Sequence, residues 1–130
     1  MTKPNVVSCL FVCQATKRFL LLKRTPKWDE GGTWCPVGGG VEDGEEPVEA
    51  LRREIKEEID YTEPFTPVFL AQTYFRNLYI NQYVAFVDSE FVPVLNDEHT
   101  DWQWTTKLPA LLHPGFAYFW HNILVPSIQL

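Results

Sequence analysis

The sequence has no apolar run long enough for a membrane-spanning helix, which needs about 20 residues. Its first five residues also lack the charged-then-apolar layout of a secretion signal. We therefore expect a cytoplasmic protein. No internal repeat, low-complexity stretch or linker interrupts the 130 residues, so we expect residues 1–130 to form one domain with a substantial core.

Cysteine is scarce, and its spacing matches no zinc site. The three cysteines are odd in number, and Cys9 and Cys13 lie four positions apart on a predicted strand, hence on one face of it. We interpret both of them, and Cys35, as reduced residues that pack in the core.

Acidic residues are missing before Asp29, where the sequence has six bases: Lys3, Lys17, Arg18, Lys23, Arg24 and Lys27. Residues 42–60 instead hold nine acids and three bases, and their net charge of −6 equals that of the whole chain. A local acidic cluster can collect a divalent cation, and a basic segment can attract phosphates. This pattern suits a small phosphorylated substrate, whereas an extended nucleic-acid footprint needs a broad basic face.

Apolar patterning predicts strands over residues 5–15, 17–24, 34–37, 67–75, 79–88 and 101–105. A hairpin turn is expected at 15–17 and a loop at 25–33. One helical turn is expected at 108–113, followed by a helix with an aromatic face at 114–124. Short links between mixed strands and helices favour an α+β layered fold with a largely β core.

The main helix should begin near Pro47, because proline is tolerated at the first helical position, and should end around Asp60. Its apolar positions recur at helical spacing and predict one buried face: Val48, Leu51, Ile55 and Ile59.

Three carboxylates, Glu54, Glu57 and Glu58, share a second face of this helix, next to the apolar face. Like charges at such spacing oppose each other by roughly 0.2–0.5 kcal/mol per pair, so a bound cation would explain them. The alternative is a solvated acidic surface with salt bridges from Arg52, Arg53 and Lys56.

Glycines precede the helix at positions 38, 39, 40 and 44, and we interpret this stretch as a loop. Positive φ or close backbone approach would let a carbonyl or amide reach a metal ion or a phosphate. Hard oxygen ligands of this kind suit Mg²⁺ or Mn²⁺. The sequence matches neither the dinucleotide fingerprint nor the phosphate loop with its Lys-Ser/Thr pair.

The spacing of these residues resembles the Nudix box: Gly39, five residues, Glu45, seven residues, Arg53-Glu54-Ile55, one residue, Glu57-Glu58. Asp60 and Tyr61 stand where the family has a glycine and an aliphatic residue, which are the positions that end the helix. Upstream, residues 34–39 are similar to the family's tryptophan and Pro-Gly-Gly segment, with the proline displaced by one position.

The resemblance implies a Nudix-type α/β/α sandwich with a mixed β-sheet core, and hydrolysis of a nucleoside diphosphate linked to another group with Mg²⁺ or Mn²⁺. It implies that Glu57 and Glu58 bind metal, and that Glu54 binds metal or orients the attacking water. It also implies that the Gly38 carbonyl is a further ligand and that Arg53 pairs with Glu45 to fix the loop against the helix. The expected catalytic residues are therefore Glu54, Glu57, Glu58 and Arg53.

Outside the box, Glu98 precedes a strand as an extra metal-binding or basic carboxylate does in many relatives; a surface acid is the alternative. We interpret His99 as a loop histidine. Lys23 and Arg24 end a strand near the loop at 25–33 and are expected to contact substrate phosphates. Core or interface packing is favoured over base stacking for Trp28, Tyr74, Phe75 and Trp102, and Trp104 is placed in the core.

We therefore expect a Nudix pyrophosphohydrolase that acts on a small nucleotide, converting a nucleoside triphosphate to its monophosphate and pyrophosphate. Two alternatives stay open: an idle Nudix-fold module that senses nucleotides or binds a protein, and a plain acidic interaction domain. The aromatic C-terminal segment is a candidate homodimer interface.

Overall fold

The computed structural model describes residues 5–124, and the outermost parts of the predicted domain lie outside this range. It contains seven strands and two helical segments. In chain order these are β1 (Asn5–Cys13), β2 (Phe19–Arg24), β3 (Trp34–Cys35), β4 (Val37–Gly40), α1 (Pro47–Ile59), β5 (Pro67–Phe75), β6 (Leu78–Val87), β7 (His99–Thr105) and α2 (Pro114–Phe119), which continues into a π-helical turn (Trp120–Leu124).

The strands form one mixed sheet with β1 at its centre. β1 runs parallel to β6 along its whole length, from Asn5 opposite Tyr79 to Cys13 opposite Val87. Its other edge pairs antiparallel with β4 and, at its end, with β2. β2 also pairs with β3 and β7, and β5 pairs with β6. β4 and β2 therefore lie on the same side of β1.

Alternation along β1 assigns its two faces to different helices. Val7, Cys9 and Phe11 pack in the same core cluster as α1, whereas Leu10 and Val12 pack with the aromatic residues of α2. Each face of the sheet is thus covered by one helical layer, and the predicted α/β/α sandwich is confirmed. All three cysteines are buried and unpaired, which agrees with their interpretation as core residues.

The main helix begins at Pro47, as predicted. The backbone amide of Glu46 donates to Glu49 Oε1 (3.0 Å), which is one half of a capping box at the start of the helix. The expected apolar face is wrong at Val48, which is 37% exposed, although Leu51 and Ile55 are completely buried. Periodicity alone therefore overestimated the width of the buried face in the first turn of the helix.

The predicted glycine loop is wrong over Gly38–Gly40, because these residues form most of β4. They pair antiparallel with residues 6–8 of β1, and this pairing holds the backbone extended. Within residues 38–44, positive φ occurs at Gly44 (81°). Gly38 and Gly39 therefore allow other atoms to approach the backbone closely, and they do not adopt unusual φ values.

The helical turn expected at 108–113 is also wrong, since this segment contains no helix and forms a parallel bridge from Leu112 to Trp34. Trp34 donates its backbone amide to Leu111 O (2.7 Å) and accepts from His113 N (2.9 Å), so the segment lies along β3. The helix expected at 114–124 is α-helical over residues 114–119 and then widens into the π-helical turn. Its predicted aromatic face is buried, with Phe116, Phe119 and Trp120 at most 9% exposed.

Candidate active site

A cleft of ≈ 610 Å³ lies where β4, α1 and the end of β2 meet. The carboxylates of Glu54, Glu58 and Glu98 line it together with Arg24 and Trp28. Two of these acids come from α1, and the third comes from the segment before β7. The β2–β7 pairing brings that segment to the cleft, because Thr25 N donates to Glu98 O (2.9 Å).

The two helical carboxylates lie on the rim of the core, as the helical spacing predicted, and both are buried. Glu54 is 8% exposed and Glu58 is 1% exposed. Gly38 donates its amide to Glu58 Oε1 at 3.3 Å. The pKa of Glu58 is raised, first by burial and then by the neighbouring carboxyls of Glu54 and Glu98. A carboxyl group held this way takes up either a proton or a cation.

Glu54 lies directly against the backbone of Gly39. A Cβ atom at position 39 would overlap the Glu54 carboxylate, so glycine leaves the space that this side chain occupies. Gly38 serves a different contact, because a Cβ there would overlap Val7 O of the paired strand β1. The two adjacent glycines therefore support the site and the sheet respectively.

Arg53 holds the acidic segment together. Its Nε and Nη2 atoms donate to the two oxygens of Glu45, at 2.8 and 3.0 Å, which is the ion pair that the resemblance implied. Nη1 donates to Glu54 Oε1 (2.8 Å), and Nη2 also donates to Gly40 O (2.9 Å). The guanidinium lowers the pKa of Glu45 to about 2. Arg53 does not line the cleft, and its contacts make it a positioning residue.

His99 is not the loop histidine that we expected: it is the first residue of β7 and is 6% exposed. Burial, and the nearby charge of Arg24, lower its pKa to about 4, so its imidazole is neutral. Ligand atoms of His99, Glu58 and Glu98 all lie within 4.8 Å of one another. Sequence reasoning identified Glu98 but missed this grouping, which depends on pairing between distant strands.

Besides Arg53, two predicted site residues do not line the cleft. The side chain of Glu57 is 52% exposed and accepts from Arg53 Nη1 at 3.4 Å. Lys23 is half-buried within the sheet, opposite Trp34 and Asp101. Arg24, by contrast, reaches the cleft, donates from Nε to Asp29 O (3.1 Å) and lies 5.5 Å from the centre of the Trp28 ring.

The aromatic residues considered for base stacking also divide into those that line the cleft and those that do not. Trp28, which is 43% exposed, and Phe75 line the cleft, whereas Tyr74 and Trp102 do not. Trp104 is buried, as expected, and donates from Nε1 to Phe91 O (2.9 Å). Sequence reasoning missed Arg76, which also lines the cleft and pairs with Glu30 at 2.7 Å. A lone arginine in a hairpin turn carries no sequence signal for such a role.

The donors in the cleft fit a divalent cation. Carboxylate oxygens predominate, as Mg²⁺ and Mn²⁺ prefer, and Nδ1 of His99 is buried without a hydrogen-bond partner among residues 5–124. Like-charged carboxyls this close and this buried are costly unless a cation or protons neutralise them. None of the helices within residues 5–124 is both long and apolar enough to span a membrane.

Comparison with solved structures identifies several with the same fold. RenU, a Nudix hydrolase from M. smegmatis, gives a TM-score of 0.72 at 22% identity, with 91% of this chain and 80% of that chain covered. An Ap4A hydrolase from C. elegans gives 0.66 at 24% identity, covering 76% and 77%. The E. coli dihydroneopterin triphosphate pyrophosphohydrolase gives 0.63 at 23% identity, covering 77% and 78%.

No curated protein matches the sequence. The family model of the NUDIX domain, however, matches residues 2–120, which is most of the chain and includes every residue of the cleft described above. The chain therefore belongs to the Nudix family of hydrolases.

Proposed function

We propose that this Nudix hydrolase cleaves a pyrophosphate bond in a small nucleotide, converting a nucleoside triphosphate and water to the monophosphate and pyrophosphate with Mg²⁺ or Mn²⁺. The observation that carries the proposal is the composition of one cleft. Three carboxylates, Glu54, Glu58 and Glu98, line it together with the cation of Arg24 and the exposed ring of Trp28.

The acidic side of the cleft would hold the divalent cation. We assign the ligands to Glu54, Glu57, Glu58 and the Gly38 carbonyl, with Glu98 as a further carboxylate at the same place. A bound divalent cation neutralises pyrophosphate oxygens and makes an attacking water more acidic. Glu54 is the residue we assign to orient that water, because Arg53 and the bare backbone of Gly39 fix its carboxylate.

The basic side would hold the substrate. Arg24 and Arg76 both line the cleft, and guanidinium groups suit phosphate oxygens. Trp28 offers an exposed ring on which a base can stack. We keep Lys23 as a phosphate contact of lower rank, because it does not line the cleft.

The cleft volume of ≈ 610 Å³ falls within the range of about 300–1,000 Å³ that is typical of small-molecule sites. The E. coli structure is named for dihydroneopterin triphosphate and the C. elegans structure for Ap4A. These names favour a small phosphorylated substrate with a triphosphate or longer chain. We also propose that residues 1–130 act as a single cytoplasmic domain, with a homodimer as the assembly to test.

The test is an assay of the full chain with Mg²⁺ or Mn²⁺ against nucleoside triphosphates, nucleotide sugars and dinucleoside polyphosphates. Phosphate release is measured after coupling to a pyrophosphatase or a phosphatase. We expect hydrolysis that falls at least about a hundredfold in Glu58→Gln and in Glu57→Gln, since loss of a ligand removes several kcal/mol of transition-state stabilisation.

Glu63→Gln is the matched control, because Glu63 is an exposed acid beyond the end of α1. It should keep wild-type activity. Unchanged activity in both Glu57→Gln and Glu58→Gln would contradict the site. Nucleotide binding without hydrolysis of any compound in the panel would instead identify an idle sensing or protein-binding module.

A further inference from the structure

His99 differs from the other two histidines of the chain in the state of its ring nitrogens. Nδ1 of His113 accepts the backbone amide of Gly115 at 3.0 Å, and His121 is exposed. Nδ1 of His99 is buried and has no hydrogen-bond partner within the described residues. Its side chain is 4% exposed, so water does not readily replace the missing partner.

The unpartnered nitrogen is directed at the carboxylates. Nδ1 lies 3.8 Å from Glu58 Oε1, which is too long for a hydrogen bond but suits two atoms that share a cation. Glu98 supplies a third donor, and all three ligand atoms lie within 4.8 Å of one another. These are donors from α1, from the segment before β7 and from β7 itself.

We propose that His99 Nδ1 is a nitrogen ligand in a divalent-cation site completed by Glu58 and Glu98. The site shares Glu58 with the cation site of the proposed function and rests on that function for its catalytic meaning. Its composition of one nitrogen and two carboxylates sets its metal preference. Imidazole suits the later first-row transition metals, whose affinity for such a site rises from Mn²⁺ to Co²⁺, whereas Mg²⁺ is best served by oxygen alone. The chain should therefore bind Co²⁺, and more weakly Mn²⁺, at this site in preference to Mg²⁺.

The first test is pulsed electron paramagnetic resonance on the untagged full chain with Mn²⁺ alone and no nucleotide. Nitrogen coordination produces modulation from ¹⁴N, and labelling with ¹⁵N-histidine changes its frequency. We expect this signal in the wild type. Its absence would overturn the proposal, and this measurement requires no variant of His99 to fold.

Assignment to His99 uses the fact that the chain has three histidines. The double variant His113→Gln/His121→Gln retains His99 alone and should keep the ¹⁴N modulation. If the double variant loses the ¹⁴N modulation while its circular dichroism matches that of the wild type, another histidine is the ligand. The converse variant His99→Gln should lose the modulation while His113→Gln keeps it.

The second test measures metal selectivity by calorimetric titration with Co²⁺ and with Mg²⁺. We expect His99→Gln to weaken Co²⁺ binding at least about tenfold and Mg²⁺ binding less than about threefold. Equal weakening of both cations would mean that His99 only supports the fold around the site, and would overturn the nitrogen ligand.

Neither test contains substrate, so failure of the two proposals can be told apart. Nitrogen coordination in a chain that hydrolyses no compound of the panel would leave the metal site standing and reject the hydrolase function. Hydrolysis with cations bound through oxygen donors alone would leave the hydrolase function standing and reject the nitrogen ligand.

Discussion

Gly39 shows how one missing side chain shapes the site. The Glu54 carboxylate occupies the position where a Cβ atom of residue 39 would be. Gly40, the next residue, has no neighbouring atom within 4 Å of such a Cβ. The two positions are adjacent in the same strand, yet only the first has a spatial reason to be glycine. Alanine substitutions at these two positions therefore test the placement of Glu54.

We predict that Gly39→Ala lowers hydrolysis at least about tenfold with a small effect on stability. The new methyl group displaces the end of a flexible side chain, which costs little folding free energy, but the displaced carboxylate is the one assigned to orient water. Steady-state kinetics and urea unfolding of Gly39→Ala and Gly40→Ala check this. Equal activity of the two variants would show that the Gly39–Glu54 contact has no role in the reaction.

Some site residues were predictable from sequence, because their arrangement is local. Glu54 and Glu58 lie one helical turn apart, so a helical wheel alone places both at the rim of the core. Glu98 and His99 reach the same cleft through the pairing of β7 with β2, which joins residues about 75 positions apart in the chain. Periodicity carries no information on such contacts, and the burial of His99 was therefore missed.

At the scale of elements, the end of α1 shows how the structure accommodates the two positions at which the chain departs from its family's pattern. Asp60 adopts the left-handed conformation (φ 51°) that the usual glycine would adopt, and it pairs with Lys56 at 2.7 Å. Tyr61, in place of an aliphatic residue, stacks on Phe91 with a centroid distance of 4.2 Å and meets the edge of Phe11. Both substitutions preserve the turn that leads out of the helix.

We predict that Asp60→Ala lowers the free energy of unfolding by about 1 kcal/mol, because an alanine is strained at positive φ. Asp60→Gly should stay within about 0.5 kcal/mol of the wild type, since relief of strain offsets a surface ion pair of about 0.3–0.5 kcal/mol. Lys56→Ala removes the ion pair alone and serves as the control. Chemical denaturation measures all three, and a Gly variant as unstable as the Ala variant would show that φ is not the cause.

The sequence predicted α1 well because its signals are local: a proline at the start, a helical period and a tolerant residue at the end. It failed for Gly38–Gly40 and for residues 108–113, whose conformations are set by partners. β1 holds the glycines extended, and Trp34 holds the later segment through Leu111 and His113. Backbone pairing between distant segments overrides the preferences of glycine-rich and apolar stretches.

At the scale of the whole molecule, the sandwich brings acids and arginines from distant parts of the chain into one cleft. The acids come mainly from the helix that covers one face of the sheet, and Arg24 comes from the end of β2. Arg53 neutralises part of the acidic cluster, but within residues 5–124 no hydrogen bond or ion pair joins it to Glu58 or Glu98. Without a cation, the fold therefore contains an electrostatic cost.

Because of that cost, we expect divalent cations to raise the stability of the whole chain. A cation that binds the folded chain alone adds about 2.7 kcal/mol to the free energy of unfolding at one hundred times its Kd. We predict a corresponding rise of the thermal midpoint in Mn²⁺ or Mg²⁺, which calorimetry or circular dichroism can follow, with reversal by a chelator. Glu58→Gln should remove most of this rise, and Glu63→Gln should leave it unchanged.

Glu58→Gln should be more stable than the wild type when the cation is removed. The pKa of Glu58 is raised in the folded chain, so above the ordinary pKa of a glutamate its carboxyl opposes folding, and this opposition grows as the pH rises. Glutamine keeps an oxygen for the Gly38 amide without a titrating group. We expect a gain of about 0.5–2 kcal/mol at pH 7 in chelator, shrinking at pH 4. A Glu58→Gln chain that is less stable than the wild type under these conditions would mean that Glu58 is a structural residue and that the cleft carries no cost for a cation to relieve.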